Sequence, residues 1–460
     1  AADVKSKITD GKWDINKPIP VSEYPFSNDG VLLGHEANYA FMIKAYGIEF
    51  SYDMIAKKLL WGANGMDTDT DNAELVLFSR IKSLAALNGL PSNNDAIHTF
   101  LPAIAEAKQV NKVRDYLKAL EWDGVDRILD LAMAVGPHDV AIGHMSLIRW
   151  LVQACAAADG AEIGRKLNPS ATAVYEYVLV LHGEQGIGKT KGLQRMVPKA
   201  LRQYLKESVV LNINNKDSVL QANSSWIAEL GELDATFKAA DHVAFKAFMS
   251  REKDEMRMPY AAKSSKFRRR TVFVGSVNEP EFLKDKTGAR RFYPLAVEHG
   301  FPEWPDEVVD QLWAQAWSLY ATGEQWWPTD IEAGQLGTNA EAFRAKSWAE
   351  TQLEGTFRWD EALSHNDGDD QVRHTVSEIW LRLQGRPYDR HTSLTPIQMA
   401  EVGHGLRRLW DAHGAYMFKG QLSIKTGQGI VRVNATGGRN RGWILPPYID
   451  EYTRMTEAQY

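Results

Sequence analysis

Eight consecutive residues carry the strongest chemical signal in the chain: Gly183, Glu184, Gln185, Gly186, Ile187, Gly188, Lys189 and Thr190 spell G-x-x-x-x-G-K-T. Glycines at this spacing let backbone N–H groups curl around the phosphates of a nucleotide, and a helix starting behind them adds the positive end of its dipole. Lys189 would neutralise phosphate oxygens and Thr190 would offer a hydroxyl to magnesium, so the loop predicts ATP and Mg2+ as ligands. Further on, Trp226-Ile227-Ala228-Glu229-Leu230-Gly231-Glu232 sets a carboxylate at the end of an apolar strand. Glu229 there suits holding magnesium through water, and Glu232 suits polarising the attacking water. Phe273-Val274-Gly275-Ser276-Val277-Asn278 reads as a strand ending in an amide that can orient that water. Arg290 and Arg291 follow on an expected loop. One of them suits an arginine finger acting on a neighbouring subunit's nucleotide, the other reading being ion pairs within the chain.

These groups need a sheet to position them. Tyr177-Val178-Leu179-Val180-Leu181 is a solid apolar run leading straight into the glycine loop, as expected of a strand buried on both faces. With the two later strands and the helical stretches between them it predicts a parallel α/β sheet over residues 166–330. Residues 1–165 read as mostly helical, from apolar spacing in Leu75-Val76-Phe78-Ile81, Phe100 with Ile104, and Ile128-Leu129-Leu131-Met133, with a short hairpin over 48–61. Residues 331–370 read as linker. Residues 371–460 read as a small α+β domain, two helices and a β-hairpin in the manner of a winged helix. Arg439 and Arg441 on its glycine-rich turn are candidate phosphate contacts, or ordinary hairpin-tip arginines.

Composition narrows the class. With 44% hydrophobic and 24% charged residues over 460 positions, the chain is neither collagen-like nor wholly disordered. The single cysteine, Cys155, excludes an intrachain disulfide and a multi-cysteine zinc site and fits a reducing cytoplasm. No apolar run of membrane-spanning length and no hydrophobic signal core is read from the sequence, so no membrane partner is expected. The net charge of −6 argues against a nucleic-acid-coated protein, yet residues 251–291 hold twelve basic and six acidic residues. That local reversal is the place for phosphate contacts, with Lys263, Lys266 and Arg268 as candidates; Arg269 and Arg270 abut a strand and suit internal pairing. Asp67-Thr68-Asp69-Thr70-Asp71 fails as a calcium loop, because Asn72 and Phe78 stand where glycine and glutamate are required.

The set formed by the phosphate loop, Trp226 through Leu233, Met258-Pro259-Tyr260, Asn278, and Phe282-Leu283-Lys284-Asp285 on to Arg291-Phe292 resembles the virulence-associated E family of phage and prophage proteins. That family is similar to superfamily 3 helicases of the AAA+ class. The resemblance extends upstream to Leu120-Glu121-Trp122-Asp123-Gly124 and covers roughly residues 100–325. Ser276-Val277 departs from the two threonines expected before the asparagine, and the acids stand three apart rather than adjacent. What the resemblance implies is an AAA+ ATPase domain in a homo-oligomer, a hexameric ring, translocating single-stranded or forked DNA in phage or mobile-element replication within a bacterial cytoplasm. It also implies a pore hairpin over 261–270 carrying Lys263 and Lys266, and a helical N-terminal collar. The alternatives are an AAA+ ATPase that loads or remodels a replication partner or acts in phage defence, and an ATP-assembled DNA-binding switch.

Overall fold

A computed structural model describes residues 13–63, 70–137, 139–231, 242–256, 265–278, 291–343, 348–359, 374–386, 394–413, 415–418, 421–426, 429–432, 434–435 and 442–446. Two compact units divide the chain, Ala1–Arg344 and Ala345–Tyr460.

In the first unit five strands form one parallel sheet in the spatial order Phe292–Ala296, Val178–His182, Val272–Val277, Ile227–Leu230, Leu205–Lys206. We call Val178–His182 the loop strand, Ile227–Leu230 the acid strand and Val272–Val277 the amide strand. The solid apolar run is explained by burial on both faces: Leu179 and Leu181 join one core, Val178 and Val180 another. The first core is built on helix Val140–Asp159, where the Trp150 indole donates to Phe273 O at 2.8 Å. Trp226 sends its indole N–H to Ala154 O at 2.9 Å. Helices on either side of the expected boundary at residue 165 thus share one core, and the unit runs through it.

Helix Val140–Asp159 also corrects the reading that nothing is long and apolar enough to span a bilayer. It passes that test by length and composition, but most of its residues are buried within the protein, as in a core helix. Within the expected linker, Asp330–Ala342 is a helix whose Asn339 amide donates to Pro294 O on an edge strand, and Trp348–Thr356 is another helix.

The N-terminal part of this unit has its own core of Tyr39, Met42, Phe50, Leu77, Ile81, Ile97 and Leu101. The expected hairpin is present as Ile48–Asp53 paired antiparallel with Lys58–Ala63. In helix Ala73–Leu87 the buried face is Leu77, Ile81, Leu84 and Ala85, while Leu75 and Val76 are exposed. The apolar spacing located the helix, and of its four residues Ile81 lies in the buried face. The hairpin turn is cinched by Asp53, whose Oδ1 accepts from Ile55 N and Ala56 N, both at 2.9 Å. It drives Ile55 into the core of the sheet and Lys57 against Asn223 O.

The second unit packs helices Trp348–Thr356, Val376–Leu383 and Pro396–Ala412 around Leu353, Trp359, Trp380, Leu406 and Trp410. Thr375 and Glu378 form a reciprocal capping box at the second helix. Antiparallel strands follow, Tyr416–Phe418, Gln421–Thr426 and Gly429–Arg432 in one sheet and Asn434–Ala435 with Gly442–Trp443 in another. Arg439 and Arg441, between the strands of the last pair in sequence, lie outside the described residues.

Candidate nucleotide site

The loop strand ends at His182, and helix Lys189–Met196 begins seven residues later. Between them Gly186 and Gly188 stand at φ +89° and +88°, backbone conformations that L side chains rarely adopt. Gly183 is required for a different reason: a Cβ there would lie 2.5 Å from Val297 O, which closes the loop against the edge strand. Glu184 and Gln185 are exposed and Ile187 is half-buried, so the loop is open to a ligand along its crest.

Three neighbouring strands bring the chemistry to the carboxyl edge of the sheet, the edge where α/β sheets take their ligands. Lys189 Nζ donates to Gly183 O at 2.6 Å, to Glu184 O at 3.0 Å and to Asn278 Oδ1 at 2.9 Å. Burial of this ammonium holds its pKa below the ordinary lysine value. Thr190 Oγ1 donates to Glu229 Oε1 at 2.6 Å. Glu229 is only 2% exposed and also accepts from Ser276 Oγ at 3.4 Å and from the Ser208 N–H at 3.3 Å. Loop, acid strand and amide strand therefore meet through Lys189, Thr190, Glu229 and Asn278. These are the residues expected from their spacing.

The donor set fits magnesium. Mg2+ prefers one or two protein oxygens together with phosphate and water oxygens over an all-protein cage, and Thr190 with Glu229 supplies a hydroxyl and a carboxylate side by side. Among the described residues no group of three or more His, Cys, Asp or Glu could hold a metal ion.

Other expected site residues part from this cluster. Arg291 lies at the opposite, amino edge, just before strand Phe292–Ala296. Its Nε donates to Glu176 Oε2 at 2.9 Å and one terminal nitrogen to Ser250 Oγ at 3.2 Å, so this guanidinium is engaged within its own chain. Arg269 is fully buried, bidentate to Asp254 at 2.9 and 2.7 Å, and Arg270 donates to Ala158 O at 2.9 Å. Lys266 and Arg268 are exposed on strand Ser265–Arg268, which pairs antiparallel with Lys253–Met256 in the manner expected of a hairpin. Glu232, Lys263 and Arg290 lie outside the described residues.

Sequence reasoning missed Ser208, Ser276 and Phe301. Phe301 presses on Gly192 of the helix behind the loop, where a Cβ would come within 2.1 Å of its ring. A glycine in the second turn of that helix was the available signal for Phe301.

Residues 117–345 match the model of the virulence-associated protein E-like domain. These residues are a virulence-associated protein E-like domain. The E-like domain thus holds the whole candidate site and strand Ser265–Arg268 with its partner, and the N-terminal hairpin lies outside it. Among solved structures, the A form of the apo NrS-1 C terminal region is similar at 14% identity over 86% of this chain and 98% of that one, with a TM-score of 0.43. A second apo structure of the NrS-1 C terminal region is 13% identical over 86% and 97%, with a TM-score of 0.42. No curated protein matches the chain.

Proposed function

We propose that the E-like domain is an ATPase of the AAA+ class that drives DNA translocation or unwinding in phage or mobile-element replication. The observation that carries the reading is the convergence of Lys189, Thr190, Glu229 and Asn278 at the carboxyl edge of the sheet. In the reaction the loop N–H groups and Lys189 bind the phosphates, and Lys189 exchanges its carbonyl and amide partners for phosphate oxygens. A magnesium ion held there would supply charge to offset that developing on the phosphates. Thr190 and Glu229 would hold that ion, and Asn278, freed from Lys189, would orient the attacking water. Glu232 is the proposed second acid.

The amino-edge position of Arg291 supports an intersubunit site. An arginine before strand Phe292–Ala296 stands at the far end of the sheet from its own phosphate loop, so a finger from this segment serves a neighbouring copy. With Arg291 held by Glu176, we assign that role to Arg290. DNA contact is assigned to the hairpin through Lys263, Lys266 and Arg268, and to Arg439 and Arg441 in the second unit.

A second reading, an ATPase that remodels a protein partner, is favoured by one observation: Arg269, Arg270 and Arg291, three of the twelve basic residues in 251–291, are engaged internally and unavailable to DNA. ATP turnover measured with and without forked DNA, together with strand displacement, separates the two. DNA-stimulated turnover with displacement supports the motor, and turnover indifferent to DNA supports the partner-remodelling reading. Turnover that survives Lys189→Ala would refute both.

A further inference from the structure

Glu229 is gripped from both of its oxygens. Oε1 accepts from the hydroxyls of Thr190 and Ser276, and Oε2 accepts from the backbone N–H of Ser208. Ser208 stands at φ +52°, left-handed for a residue with a side chain, a conformation kept only where the surroundings enforce it. Gly231 is what permits the approach, since a Cβ there would lie 2.8 Å from Ser208 Cα and 3.3 Å from its carbonyl carbon. The next residue continues the contact, with Val209 N–H donating to Glu229 O at 2.8 Å. Glycine at 231 thus brings the segment around Ser208 close enough to the acid strand for an N–H to meet the carboxylate.

Thr190 has two tasks that compete. Its hydroxyl now donates to Glu229, and a metal ligand must turn its lone pairs to the ion. Once it does, Ser208 and Ser276 are the remaining described groups that hold the carboxylate.

We propose that Ser208, seated on Gly231, and Ser276 are positioning residues that hold the Glu229 carboxylate toward the magnesium site when Thr190 leaves it. This rests on the ATPase reading above. Partners that orient a metal-holding group typically alter metal affinity or activity when removed, even though they touch neither metal nor substrate.

The test uses the full chain, ATP turnover, and the affinity of a fluorescent non-hydrolysable ATP analogue measured with Mg2+ and with EDTA. Gly231→Ala should lower kcat by roughly 10- to 100-fold and abolish the Mg2+-dependent gain in analogue affinity, while affinity in EDTA stays near that of the wild type. Ser276→Ala should move both readouts in the same direction, and Ser276→Thr should restore them, which a merely structural role would not require. If Gly231→Ala does not fold, the Ser276 pair decides. Unchanged kcat and an unchanged Mg2+ gain in the folded variants overturn the proposal while Lys189-dependent turnover persists in the wild type. A wild type that binds no analogue, or turnover indifferent to Lys189→Ala, refutes the ATPase reading instead, and the positioning roles fall with it.

Discussion

The two edges of the central sheet use similar residues to opposite ends. At the carboxyl edge Lys189 pairs with Asn278 and Thr190 with Glu229, each through one hydrogen bond that a phosphate, a metal ion or water can replace. At the amino edge Arg269 with Asp254 and Lys57 with Asn223 O are buried internal pairs, and Arg291 pairs with Glu176 within the chain. Charge at one edge is poised for exchange. At the other it is committed to the fold, because charges withdrawn from water must keep their partners. A basic residue's type therefore says little about its task until its edge is known.

The largest effect should come from Lys189→Ala, which should abolish ATP turnover while leaving the melting temperature near that of the wild type, since solvent can satisfy its partners, two loop carbonyls and the Asn278 amide oxygen. Glu229→Gln should retain the nucleotide and lose hydrolysis by roughly 10²- to 10³-fold. Joint loss of binding and thermal stability in either variant would move that residue to the structural class. Arg290→Ala should lower hydrolysis by about 10³-fold and act in trans. Mixing it with a Lys189→Ala subunit should restore turnover, because an intact loop then faces an intact arginine across one interface. Arg291→Ala should instead cost about 1 kcal/mol of stability. Recovery on mixing with Arg291→Ala rather than Arg290→Ala would reverse the assignment.

Arg269→Ala should destabilise the unit by about 3–5 kcal/mol in urea denaturation, since it leaves Asp254 buried and unpaired, with analogue affinity of the folded protein preserved. A further effect is one of pH. Burial pulls Lys57 from its ordinary 10.5 down to about 7, with Asp254 and Asp53 opposing the shift and Arg270 and Arg269 adding to it. Between those values the unfolded chain holds a proton that the folded chain has lost, so Lys57 makes stability rise with pH from 7 towards 10.5. Below 7 the burial of its charge opposes folding in full. Denaturation midpoints across that range should lose this rise in Lys57→Met, and an equal slope in both proteins would show that Lys57 titrates as a solvated lysine.

Much of the candidate site was legible because its chemistry is local. The glycine spacing, Lys189 and Thr190 occupy eight adjacent positions whose backbone geometry permits few other residues. Glu229 and Asn278 each end an apolar run, so pattern alone set them at strand termini. Register and strand order then brought them within hydrogen-bonding distance of the loop, through pairs such as Val274 with both Leu179 and Glu229. The tasks of Ser208, Gly231 and Phe301 were not legible. Each depends on a neighbour far along the chain, and neither a left-handed serine nor a glycine under another backbone has a composition signature. The same limit explains the buried stripe of helix Ala73–Leu87, since two apolar stripes compete and the packed neighbours choose between them.

Residue type and spacing were sufficient for the loop, its two strand-end partners and the α/β class, because backbone sterics and hydrophobic period act over a few residues. Which arginines are internal, which serines hold the acid, and where the compact units divide followed from packing, because burial and pairing join residues from 15 to 115 positions apart. Arg291 shows the difference. Its neighbourhood in sequence fits a finger, and Glu176, 115 positions away, pairs with it within the same chain.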